Sequence, residues 1–162
     1  MTETVTDPRI AIAELALSLL PADVRAAAVI DTSDLPYSDG VVVVTVGHRY
    51  ARIGYSGAGF VTYQGFDETS RPHAVSQTNA RDMAAVVAAW LDPRKFTLRD
   101  WAKGRGVEEK FSAHTPGWDP HLPVRMNELA RATGTPVDYL HDDGWNYAMM
   151  PAWAWDIAYA NA

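Results

Sequence analysis

Val41-Val-Val-Val-Thr-Val46, Ala51-Arg-Ile-Gly-Tyr55 and Phe60-Val-Thr-Tyr-Gln-Gly-Phe66, closed by Ala80-Arg-Asp-Met-Ala-Ala-Val-Val-Ala-Ala-Trp-Leu91, are the runs on which the fold turns. β-Branched and aromatic side chains fill the first three, so each reads as a strand. Gly47-His48 and Gly57-Ala58-Gly59 separate them, and that spacing predicts antiparallel hairpins. Val41–Val46 is apolar on both faces and should be central, while Arg49–Tyr55 returns with Ala51, Ile53 and Tyr55 on one side. The fourth run is a helix whose buried stripe is Met83, Val86, Val87, Trp90 and Leu91. Asn79 and Asp82 form a capping pair at its start, and Asp92-Pro93 ends it.

Outward from this stretch, Asp7 and Pro8 cap and open a helix over residues 8–20. Its apolar residues Ile10, Ile12, Ala13, Leu15, Ala16, Leu17, Leu19 and Leu20 fit a helix better than a strand. Pro21 stops it, and Ala22–Ile30 reads as a second short helix. Asp31–Gly40 and Asp67–Gln77 are rich in turn formers and read as loops. Beyond Pro93 come short capped helices: Thr97-Leu-Arg-Asp100 opens one that ends at Gly104, Val107–Ala113 and Val124–Thr133 are two more, and Thr135-Pro-Val-Asp138 starts another. Thr115–Pro123 is a proline-bearing loop. We therefore expect an α+β fold: a three-stranded antiparallel β-meander packed by N-terminal and central helices over residues 1–93, then an all-helical C-terminal region over 94–162.

The 162 residues are 48% hydrophobic and 21% charged, enough to bury a real core. With no cysteine, disulfides, thiolate metal ligands and a cysteine nucleophile are excluded. Met1–Pro8 is polar and acidic, unlike a signal peptide, and no apolar run is long enough to span a bilayer, so we expect a cytoplasmic protein. The formal charge of −6 is uneven. Residues 1–93 carry six Lys/Arg against eleven Asp/Glu, residues 94–141 eight against six, and residues 142–162 none against three. An acidic whole repels phosphate, and only the middle segment suits it.

Glu128-Leu-Ala-Arg-Ala-Thr-Gly-Thr-Pro-Val-Asp-Tyr-Leu140 places Ala130 at a helix crossing, Gly134 in the turn, and Leu129 and Leu140 as packing pins. With Thr97–Val107 and Leu122–Ala130 as neighbouring helices, residues 97–143 resemble a degenerate helix-turn-helix of phage-repressor-like (XRE-type) regulators. The resemblance implies DNA contacts from Arg99, Lys103, Arg105, Arg125 and Arg131. The segment in the recognition-helix position, Pro136–Asp142, carries Asp138 and Asp142 and no Arg or Lys, which favours a protein partner over DNA. The meander-then-helix arrangement is also similar, at fold level, to small accessory and immunity-type proteins of actinobacterial genomes and their phages. A likeness of that kind assigns no function.

His114-Thr-Pro-Gly-Trp-Asp119-Pro-His121 puts two imidazoles and a carboxylate in one loop, the donor chemistry of Zn²⁺ or Fe²⁺, though at no fixed metal spacing. His48, His73, Ser56 and Asp67 assemble no catalytic set, and Gly57-Ala-Gly59 lacks the helix and lysine of a phosphate loop. The tail is compositionally the most unusual part: Trp145, Tyr147, Met149, Met150, Trp153, Trp155 and Tyr159 crowd residues 145–162. Trp153 and Trp155, two apart, cannot share one helix face, so one is left outward, and such residues dominate binding hot spots.

We expect a non-enzymatic regulatory or adaptor protein, without cofactor or catalytic residues, that binds a protein partner or homodimer mate through its C-terminal helical region. Three alternatives stand beside it. One is a helix-turn-helix transcriptional regulator, and one a small metal-dependent enzyme using His114, Asp119 and His121. The third is a sensor holding a small molecule between sheet and tail.

Overall fold

The computed structural model describes residues 6–37, 39–57, 59–66, 73–106, 127, 129–131, 133 and 149–158. They fall into two compact units, Met1–Leu91 and Asp92–Ala162.

The first unit opens with α1 (Pro8–Ser18). Asp7 caps it through a 2.9 Å hydrogen bond from the Arg9 amide, and Pro8 fills the first helical position, where no amide donor is needed. Ile12, Ala13 and Ala16 face the core, whereas Leu15 and Leu19 are exposed. Helix α2 (Ala22–Ala27) is shorter than the sequence suggested, because Val29–Asp31 leaves it to form strand β1.

The expected three-stranded meander is in fact a five-stranded antiparallel sheet in the order β1-β2-β3-β4-β5. Its centre is β2 (Val42–Val46), β3 (Arg49–Ser56) and β4 (Gly59–Phe66), the three runs legible in the sequence. β1 adds beyond β2 with Ile30 opposite Val44, and β5 (His73–Gln77) beyond β4 with Val75 opposite Thr62. Both are edge strands, and each inserts one aliphatic residue on the inner face. An edge strand of that kind shows no run of alternating hydrophobics. Gly47 turns the β2–β3 hairpin at φ 58°, and Gly59 lies at φ 146° where a Cβ would sit 2.7 Å from the Gln77 carbonyl oxygen.

α3 (Ala80–Leu91) covers the inner face, its start fixed by Asn79, whose Oδ1 accepts from the Asp82 amide at 2.8 Å. Met83, Val86, Val87, Trp90 and Leu91 are fully buried; α3 packs on β3, β4 and β5, and α1 lies beside it over β2 and β3. Polar ties fix the register of helix on sheet. Gln64 Nε2 donates to the Val86 carbonyl, Trp90 Nε1 to that of Gly65, and Arg49 to that of Trp90. The other face of the sheet carries neither α1 nor α3: Arg52, Tyr63, Ala74 and Ser76 are exposed there.

The second unit corrects the expectation of an all-helical C-terminal region. It contains α4 (Leu98–Gly104) and α5 (Ala152–Ala158), together with a two-stranded antiparallel sheet of β6 (Lys95–Phe96) and β7 (Met150–Pro151). Lys95 pairs with Pro151 and Phe96 with Met150. Two-residue strands joined across more than fifty residues leave no local periodicity to read. Asn127, Leu129–Arg131 and Thr133 are helical, within the span read as a helix. The helix placed at Val107–Ala113, the loop Thr115–Pro123 and the helix beginning at Thr135 lie outside the described residues. Among the described residues no helix is long and apolar enough to cross a membrane.

Candidate functional site

In the second unit the chain leaves α3 through Asp92, whose carboxylate accepts from the Arg94 amide at 3.0 Å and from its guanidinium at 3.0 and 2.8 Å. Burial pushes the Asp92 carboxyl up, but the Arg94 hydrogen bonds outweigh it and hold the group below its ordinary 3.8. The folded state therefore binds fewer protons than the unfolded chain near that pH. The contribution is complete above 3.8 and is lost as pH falls through the lower, folded value. Asp92→Asn should cost about 1–2 kcal/mol at neutral pH. In thermal melts the gap from wild type should close below pH 3.8.

Lys95, on β6, sends Nζ to the Thr133 carbonyl. Burial lowers its pKa, Asp92 opposes that and Arg94 adds to it. Thr133 in turn donates to the Leu129 carbonyl at 2.6 Å, and Leu129 is buried. Thr97 caps α4, its hydroxyl accepting from the Asp100 amide at 3.2 Å. From α4, Trp101 sends its indole N–H 3.1 Å to Asp156 on α5, and Arg105 reaches the same carboxylate oxygen at 2.9 Å while lying over the Trp101 ring. Trp155 packs 6.3 Å from Trp101, centroid to centroid, and donates its indole N–H to the Phe96 carbonyl at 2.7 Å. The elements of this unit are short, and these indoles hold them together.

That arrangement sorts the tail residues singled out from sequence. Met149, Met150 and Trp155 are fully buried and help make the unit's interior. Trp153 is 47% exposed. The two-residue spacing did leave one tryptophan outward, and it is Trp153. Trp145, Tyr147 and Tyr159 lie outside the described residues. Of the basic residues, Lys103 and Arg131 are exposed, Arg105 is exposed but paired with Asp156, and Arg99 stands on α4 with its side chain outside the description. Arg125 lies outside it entirely, as do His114, Asp119 and His121. Among the described residues no group of three His, Asp or Glu side chains is placed to hold a metal. His48 is exposed in its hairpin turn, and Ser56 Oγ is buried without a hydrogen-bond partner among the described residues.

Sequence reasoning missed Trp101 and Asp156. The available signal was that Asp156 is the sole acidic residue after Asp143, a lone hydrogen-bond acceptor side chain of full charge set in an aromatic helix. Set against protein-family models, curated proteins and solved structures, the chain matches none.

Proposed function

We propose that this chain is a non-enzymatic adaptor or regulatory protein that binds a protein partner through its C-terminal unit, with Trp153 as the anchor. The observation that carries the reading is the split along α5. Trp155 is fully buried and Trp153 is 47% exposed, on a helix held by Trp101, Arg105 and Phe96. A large, rigid aromatic side chain presented from a fixed helix loses little entropy on binding and is the commonest kind of hot spot. A protein partner is preferred to DNA because Arg105, one of the cations the helix-turn-helix resemblance requires, is paired with Asp156, and the whole chain is acidic.

The test is capture by the immobilised full chain from a lysate of the encoding organism, alongside its Trp153→Ala variant. The expected result is a protein held by wild type and weakened at least about tenfold by the substitution, with the variant's melting temperature unchanged. Equal capture by both chains would remove Trp153 as the anchor. Salt-steep binding of a random-sequence duplex would replace the protein reading with the DNA one.

A further inference from the structure

The face of the five-stranded sheet turned away from α1 and α3 has an ordered pattern of its own. The strand register lines up Asp31, Val43, Arg52, Tyr63 and Ala74 in one row across all five strands, and Val29, Thr45, Tyr50 and Gly65 in the next. Val29 is 62% exposed and Tyr63 39%, and Asp31 and Arg52 are both exposed. The Tyr50 ring lies across Gly65, where a Cβ would come 2.6 Å from its hydroxyl, and the Arg52 guanidinium stacks 4.8 Å from its centroid. Arg52 has no carboxylate partner among the described residues. The exposed part of this face thus mixes aliphatic, aromatic and polar side chains, with one cation, Arg52, near the middle and one anion, Asp31, on the β1 side.

We infer that this face is a self-association surface, on which a second copy of the chain stacks about a two-fold axis running along β2. The geometry selects that occupant. Asp31 and Arg52 lie one strand to either side of Val43, each roughly 5 Å away. A two-fold axis along β2 above Val43 exchanges those two positions. It sets Asp31 of each copy against Arg52 of the other, Val43 against its own counterpart, and exposed Val29 against the Tyr50 ring. Arg52 gains a carboxylate, and Asp31, which within its own chain accepts from the Ser33 amide at 2.9 Å, gains a cation. Val29, Val43 and Tyr50 are covered, while Tyr63 and Ala74 lie beyond the overlap. Two sheets stacked in this way sit about 10 Å apart, a spacing these side chains fill. The overlap spans three strands, roughly 14 Å by 20 Å. That is about 280 Å² per copy, well below a standard specific interface of about 800 Å² per partner, so the dimer is weak and concentration-dependent. The surface belongs to the first unit and is independent of Trp153.

Sedimentation of the full chain from about 5 to 500 μM tests it. Wild type should shift from monomer to dimer across that range. Asp31→Arg and Arg52→Asp should each weaken association at least tenfold, because like charges then meet twice in the dimer. The double variant D31R/R52D should restore it, since the pairs re-form with their signs exchanged. Val43→Lys, which sets two ammonium groups against each other on the axis, should abolish it, and near-ultraviolet circular dichroism checks that each variant is folded. A wild type that stays monomeric at 500 μM overturns the proposal, as does a dimer indifferent to Val43→Lys or a double reversal that fails to restore pairing. If wild type is monomeric while Arg52→Asp releases a captured lysate protein, the face serves a foreign partner and the proposal also falls.

Discussion

Trp155→Ala is expected to destabilise the unit Asp92–Ala162 by about 4 kcal/mol, the range for removing a fully buried tryptophan. The side chain is 0% exposed, packs on Trp101 and closes a 2.7 Å hydrogen bond to the Phe96 carbonyl. Its loss opens a cavity and leaves that carbonyl without its indole donor. The surrounding elements have little with which to compensate. α4 and α5 span seven residues each, and the β6–β7 ladder is two residues long, so none is stable alone. Amide hydrogen exchange should show fast exchange through α4 and α5 in the variant, with protection retained in α3 and β2–β4. Trp155→Phe keeps most of the packing and should cost less than half as much.

The second large effect is expected at Arg9, 3% exposed in the first turn of α1. Its guanidinium donates to both carboxylate oxygens of Asp7 and to the carbonyls of Gly40 at 2.8 Å, Tyr37 at 3.2 Å and Leu35 at 3.4 Å, with the Tyr55 ring beneath it. It therefore ties the 32–40 loop to the helix start through five donors in a fixed fork. Arg9→Ala should cost about 2–3 kcal/mol in urea unfolding of the first unit, because it strips charge-assisted hydrogen bonds from three carbonyls and from the half-buried Asp7 carboxylate. Arg9→Lys should recover little, because a single ammonium cannot reach those acceptors together. The hydrogen bond from the Arg9 side chain also holds the Asp7 carboxyl below its ordinary 3.8. The Asp7 part of the loss should therefore fade as pH falls below that value.

These two residues show what the sequence revealed and what it hid. Elements that carry their own start signal and a long apolar pattern were legible. Asp7-Pro8 opens α1, Asn79 with Asp82 opens α3, Thr97 opens α4, and β2–β4 are β-branched and aromatic. Elements that exist only because something distant pairs with them were not. β1 is three residues made strand by Val43–Thr45, β5 is a polar run made strand by β4, and β6 and β7 pair across the whole second unit. Arg9 reads locally as a solvated helix cation. It is buried because three carbonyls roughly thirty residues later fold over it.

The candidate site was legible to the same degree. Spacing alone showed that Trp153 and Trp155 must face apart. Which one packs inward depends on the positions of Phe96 and Trp101, more than fifty residues away, and no local rule supplies those. Met149 and Met150, chosen for a sticky composition, are the neighbours of that packing and lie in the interior. Composition marked the right region without separating its core from its surface.

Fluorine NMR of the chain labelled with 5-fluorotryptophan tests the proposed division of α5 most directly, with Trp153→Phe and Trp155→Phe assigning the two resonances. The account predicts a solvent isotope shift for Trp153 and none for Trp155, and a Trp153 signal that moves when the captured partner protein is added. A protected Trp153 beside a solvated Trp155, or a partner that leaves the Trp153 signal in place, would contradict it.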